Sequence, residues 1–130
     1  MNAEVLDALL VRAEAVALHA YAPFSNFKVG AAVLAEDGHT YVGCNVENSS
    51  FGATVCAERS AVSAMVAAGA RRILAVAVYT PAATPTYPCG ICRQVLAEFG
   101  PDAVVLAAVP GQRVQVTLSE LLPHAFVFRP

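Results

Sequence analysis

Three cysteines, one glutamate and two arginines are gathered in two short stretches, Thr54-Val55-Cys56-Ala57-Glu58-Arg59 and Tyr87-Pro88-Cys89-Gly90-Ile91-Cys92-Arg93-Gln94. Each stretch opens what reads as a helix. A helix N-terminus and a nearby arginine both lower a thiol's pKa, and both conditions occur at both stretches, so thiolates able to ligate a metal are expected. Cys89 and Cys92, at i and i+3, share one face of a first helical turn and can grip a single ion, with Cys56 as third ligand. Structural zinc usually closes with four protein ligands, whereas catalytic zinc takes three and leaves a position for water.

The choice between these rests on Cys44, the one remaining cysteine. Residues 41–47 read as a strand, along which side chains alternate, so Cys44 and Val46 share one face while Asn45 and Glu47 share the other. If the polar pair faces the site, Cys44 faces away. The site is then three-cysteine and open, and a closed four-cysteine structural zinc is the alternative. An open zinc lowers the pKa of bound water towards neutrality. Glu58, two residues from Cys56, is placed to act as general acid and base rather than as a ligand.

Cys56-Ala57-Glu58 followed by Pro88-Cys89-Gly90-Ile91-Cys92 resembles the zinc deaminase signature. With cysteine rather than histidine as first ligand, the chain resembles the small homotetrameric cytidine deaminases. The likeness extends through Ser25-Asn26-Phe27-Lys28-Val29-Gly30-Ala31-Ala32, Cys44-Asn45-Val46-Glu47-Asn48 and Cys92-Arg93-Gln94-Val95, and covers nearly the whole chain.

That resemblance implies one Zn²⁺ per chain and hydrolytic deamination of cytidine and deoxycytidine to uridine and deoxyuridine, in pyrimidine salvage. Glu58 would move the protons. Phe27 matches the position that packs against the pyrimidine base, Asn45 and Glu47 the positions that hold the ribose, and the backbone around Ala57 and Cys89 those that meet the base edge. Phe126 matches a C-terminal phenylalanine that reaches a neighbouring subunit's pocket in a homotetramer. Arg59 is expected to donate hydrogen bonds to ligand sulfurs, because three thiolates on Zn²⁺ leave a net negative charge to which ionised Glu58 adds. Phe51, Tyr79, Tyr87 and Ile91 depart from the residues common in such relatives, which bears on substrate breadth and on subunit contacts.

Other readings of the same residues are weaker. A deaminase of a nucleoside antibiotic such as blasticidin S shares the zinc motifs, but the Asn45 and Glu47 pair favours ribose. A non-catalytic zinc-stabilised module leaves Glu58 and the open position without purpose. A thioredoxin-like redox pair leaves Cys56 and Glu58 unexplained.

The chain has 130 residues, enough for one domain over 1–130 with a single sizeable core. Hydrophobic residues make up 57% and charged ones 14%, so subunit contacts are expected to absorb apolar surface. The net charge of −2 offers no basic field for nucleic acid. No basic-then-apolar leader is visible at Met1-Asn2-Ala3-Glu4, and no apolar run reaches membrane-spanning length. Cysteines arranged for metal in a leaderless chain suggest a cytoplasmic protein.

The pattern predicts an amphipathic helix over 3–20, strands over 29–35 and 40–46 joined at Asp37-Gly38, and a helix over 55–68. A strand over 73–79, parallel to its partner, precedes a helix over 89–99. Strands over 104–109 and 114–118 follow, the last at an edge, and then a capped turn at 119–122. These elements define an α/β chain, and the resemblance implies a three-layer αβα sandwich with a five-stranded mixed sheet. Phe24 reads as structural. His19, His39 and His124 lie outside every motif.

Overall fold

The computed structural model describes residues 1–128; residues 129 and 130, the end of the single domain expected over 1–130, lie outside the described residues. The elements are α1 (Ala3–Ala17), β1 (Gly30–Ala35), β2 (Thr40–Cys44), a 3-10 turn (Phe51–Ala53), α2 (Ala57–Ala67), β3 (Ile73–Tyr79), α3 (Gly90–Phe99), β4 (Val104–Val109), β5 (Gln112–Thr117) and α4 (Leu118–Leu121). The sheet order is β2-β1-β3-β4-β5. It is mixed: β3 pairs parallel with β4, while β1–β2, β1–β3 and β4–β5 are antiparallel.

The apolar runs over 73–79 and 104–109 form the two central strands β3 and β4, as expected where both faces of a sheet are covered. Alternation along the strands sends different residues to the two faces. Ala32, Ala75, Ala77 and Leu106 meet Leu6, Leu9 and Ala13 of α1 on one side. Ala31, Val33, Val76, Val78 and Val105 meet Ala61, Val62, Met65 and Leu96 of α2 and α3 on the other. Leu9, 2% exposed, is worth about 2–5 kcal/mol against alanine at such a position.

Two glycines let the helices approach. A Cβ on Gly30 would run into the Ala13 carbonyl and the Ala17 backbone nitrogen, and one on Gly43 would run into the Ala61 nitrogen and the Ala57 carbonyl. Gly43 therefore seats the first turn of α2 on β2, and that turn carries Glu58.

Several expectations shift. The first helix stops at Ala17, short of residue 20. Strand β2 ends at Cys44, two residues early, because the Asn45 side chain takes over the ladder: its Oδ1 accepts from Val29 N at 2.9 Å while the Asn45 backbone N–H donates to Val29 O at 3.2 Å. The freed Asn45 carbonyl accepts from Tyr21 N at 3.0 Å instead. The strand reached through α2 lies beyond β1, so β3 pairs antiparallel with β1 and finds its parallel partner in β4. The final turn is capped by Thr117, through a capping box with Glu120, rather than by Ser119, and β5 spans Gln112–Thr117.

Candidate active site

Both cysteine-bearing helices begin one residue after a thiol. Cys56 is the N-cap of α2 and Cys89 the N-cap of α3, and neither side chain is consumed in capping. The predicted helical starts at 55 and 89 thus move to 57 and 90. Extended backbone at both caps, with ψ of 156° and 171°, leaves the sulfurs beside free helix-start amides and in the positive end of each macrodipole. Cys92 lies within the first turn of α3 and is fully buried.

The three sulfurs lie within 4.8 Å of one another, and the Cys56 and Cys89 sulfurs are 4.0 Å apart. Tetrahedral zinc with sulfur at ~2.3 Å requires sulfurs roughly 3.8 Å apart, so the set fits that ion. Among the described residues no other group of potential ligands converges in this way, and Cys44 is not part of it.

The approach to Cys56 is fixed by two isolated bridges. Val46 and Val55 exchange backbone hydrogen bonds at 2.9 Å in each direction, and Val46 also bridges Tyr21. Arg59, one turn into α2, reaches back: its Nη2 donates to Cys56 Sγ at 3.7 Å and to Thr54 O at 3.2 Å. The predicted contact between Arg59 and a ligand sulfur is therefore present at Cys56. In the thiol cluster the hydrogen bond from Cys92, with Arg59 behind it, holds Cys56 well below the usual thiol range. The same pairing, together with burial, pushes Cys92 up.

Arg93 behaves otherwise. Its Nε donates to Pro88 O at 2.6 Å and its Nη1 to Leu121 O at 2.9 Å, so the second arginine clasps backbone and does not serve the thiols as expected from its position. This clasp was not legible locally, because Leu121 is 28 residues away.

Glu58 is 5% exposed, and burial raises its carboxyl to about 7. A carboxyl poised near neutrality can both give and take a proton. It lines a cleft of about 200 Å³ together with Phe27, Val29, Asn45, Thr54, Cys56, Ala57, Val78, Thr86, Tyr87 and Cys89. Of the residues singled out in the sequence, the structure gathers Phe27, Asn45, Cys56, Ala57, Glu58 and Cys89 on this cleft, with Cys92 behind the other two sulfurs.

Glu47 and Phe126 lie elsewhere. The Glu47 carboxylate accepts from Phe24 N at 2.9 Å, from Ser25 N at 3.1 Å and from the Ser25 hydroxyl, and that hydroxyl above all holds it below the usual carboxylate range. Asn45 Nδ2 donates to Phe27 O at 2.7 Å. Both polar residues thus tie down the loop that presents Phe27. Phe24 packs edge-on against Phe51, with centroids 5.8 Å apart. Phe126 is 71% exposed, and its carbonyl accepts from Gln94 Nε2 at 3.1 Å on the outer side of α3.

A three-layer domain with three thiols and one buried acid converging at two helix starts defines a class of hydrolase-like metal pockets. Residues 3–108 match the family model described as the cytidine and deoxycytidylate deaminase zinc-binding region. The chain belongs to this deaminase family. It is 45% identical over 123 residues to a cytidine deaminase of Sporosarcina psychrophila, spanning 93% of this chain and 90% of the relative. The fold superposes on the crystal structure of cytidine deaminase from Burkholderia pseudomallei with a TM-score of 0.89 and 44% identity, covering 97% of this chain and all of the other. Against cytidine deaminase from Mycobacterium tuberculosis the TM-score is 0.82 at 42% identity, over 95% and 98% of the two chains.

Proposed function

We infer that this chain is a zinc-dependent deaminase that hydrolyses cytidine and deoxycytidine to uridine and deoxyuridine with release of ammonia. The observation that carries this reading is the approach of the Cys56, Cys89 and Cys92 sulfurs to within 4.8 Å on a cleft that also holds buried Glu58. Cys56, Cys89 and Cys92 would hold one zinc ion per chain. When bound, that ion supplies Lewis acidity that makes water nucleophilic at neutral pH.

The chain's own residues do the rest. Glu58 takes a proton from water, places one on pyrimidine N3, and delivers another to the departing amino nitrogen. A C4–O bond forms and the C4–N bond breaks, which balances nucleoside and water against the uracil nucleoside and ammonia. Phe27 packs on the base. The Ala57 N–H, at the free start of α2, would meet the base edge. Asn45, and Glu47 once it is released from part of its loop, would take the ribose hydroxyls. Arg59, through its hydrogen bond to Cys56 Sγ, favours the charged form of that sulfur.

The working enzyme is a homotetramer in this reading, with Phe126 of one subunit entering a neighbour's cleft. The exposed side chains Tyr21 and Val46, joined by a backbone bridge, and Phe24 and Phe51, whose rings touch, support it, since exposed apolar clusters mark interfaces. All four cysteines are free, which suits a reducing, cytoplasmic setting. No helix among the described residues is long and apolar enough to cross a membrane.

The test mixes purified protein with cytidine, deoxycytidine or blasticidin S and follows ammonia release alongside zinc per chain. Release from the two nucleosides at one zinc per chain is expected. A zinc-loaded protein inert towards both would refute the reading.

A further inference from the structure

Tyr87 is absorbed neither by the metal pocket nor by the residues that tie the loops together. It lines the cleft and is 39% exposed; the matching figure for Phe27 on the same cleft is 40%. Among the other walls Ala57 is 0% exposed, Val78 1%, Glu58 5% and Asn45 8%, whereas Cys89, next to Tyr87 along the chain but for Pro88, is exposed as well. The two large rings therefore stand at the mouth, above a floor made of small apolar groups and one acid. Phe27 and Tyr87 form no ring pair with each other; among the described residues the paired rings are Phe24 and Phe51.

Tyr87 also has a fixed distance from the chemistry. It stands two residues before Cys89, a separation that cannot exceed about 7 Å between Cα atoms, and the intervening Pro88 is fully buried. Pro88 O is pinned by Arg93 Nε at 2.6 Å, so the backbone that carries Tyr87 is held at the thiol end of the cleft. Its hydroxyl has no hydrogen-bond partner among the described residues, which leaves the ring as the part with a surface to offer.

Given the deaminase reading above, on which this inference rests, ring carbon C4 sits at the thiol end and N3 faces Glu58. The other neighbour of C4 is C5, on the side away from Glu58. We propose that Tyr87 is the specificity-determining residue for the C5 edge of the pyrimidine, its ring closing the mouth of the cleft beside Cys89 so that a hydrogen at C5 is accepted and a methyl group or larger is disfavoured. Rejection of one added carbon by an apolar wall amounts to roughly 10- to 200-fold.

The experiment compares kcat/KM for cytidine and 5-methylcytidine in the parent, Tyr87→Phe and Tyr87→Ala proteins, each at one zinc per chain. The parent is expected to prefer cytidine, Tyr87→Phe to keep that ratio, and Tyr87→Ala to narrow it about tenfold by gaining on the methylated substrate. A merely structural tyrosine would lower both substrates together and leave the ratio where it was. A ratio unchanged within twofold in Tyr87→Ala overturns the proposal, as does collapse of the ratio in Tyr87→Phe. Failure of the parent on cytidine itself would instead strike the deaminase reading, so the two failures are distinguishable.

Discussion

The helix starts at Cys56 and Cys89 are built alike and used differently. Each places a cysteine at the N-cap and an arginine within the first turn or so. At α2 the arginine returns to the sulfur and the next acid is buried in the cleft. At α3 the arginine turns away to hold Pro88 O and Leu121 O. One start carries charge control and the other carries rigidity. Sequence motifs that look symmetric around a metal therefore need not divide the labour evenly, because the neighbours that decide an arginine's role lie far along the chain.

The largest effect expected from breaking this division is at the reacting acid. Glu58→Gln keeps the size and the three thiols but cannot carry protons, so kcat for cytidine should fall by about 10²- to 10⁴-fold with zinc per chain unchanged. Steady-state rates combined with metal analysis check this, and a variant within threefold of the parent would remove Glu58 from the chemistry.

The same substitution should stabilise the metal-free chain. Burial raises the Glu58 carboxyl from 4.5 to about 7, so the folded chain holds this proton more tightly than the unfolded one and stability falls as pH rises between those values. The penalty is absent below pH 4.5 and complete above pH 7, where it amounts to about 3 kcal/mol. Denaturant unfolding of zinc-free parent and Glu58→Gln should diverge by up to that amount at pH 8 and coincide at pH 4. Curves that stay parallel across this range would contradict a buried, proton-hungry carboxyl.

The mechanical start should respond in stability. Arg93→Ala removes two charge-assisted hydrogen bonds to carbonyls and should cost about 2–4 kcal/mol, read by chemical denaturation of the zinc-loaded protein, with the pH dependence of kcat kept. A shifted pH profile would mean that Arg93 also governs the thiols. Arg59→Ala is the smallest change and the sharpest contrast. It should lose about 1 kcal/mol of stability or less, while the pH at which metal-free Cys56 becomes alkylated by iodoacetamide moves upward. Mass mapping of the labelled cysteine reads this, and an unmoved profile would leave the sulfur contact without electrostatic effect.

Much of this was legible before any coordinates. The thiol trio was readable because a C-x-x-C pair at a helix start and a lone cysteine beside an acid each have a physical motive, and the central strands were readable as unbroken apolar runs over 73–79 and 104–109. The early end of β2 was hidden because a side chain, Asn45, imitates a backbone carbonyl and takes its partner at Val29. The clasp made by Arg93 was hidden because it joins segments 28 residues apart. The cap of the last turn did leave a signal: Thr117-Leu118-Ser119-Glu120 has the T-x-x-E spacing of a capping box, with its cap two residues ahead of Ser119. Tyr87 stood out in the sequence only as a departure, and its place on the cleft wall came from the fold.

The most direct measurement of the central claim is X-ray absorption at the zinc edge of the loaded protein, taken together with its zinc content. One zinc per chain, with three sulfurs at ~2.3 Å and one lighter atom, is the expected result for Cys56, Cys89 and Cys92 with an open position. A fourth thiolate sulfur, which only Cys44 could supply from within the chain, or full cytidine turnover by zinc-free protein, would contradict it.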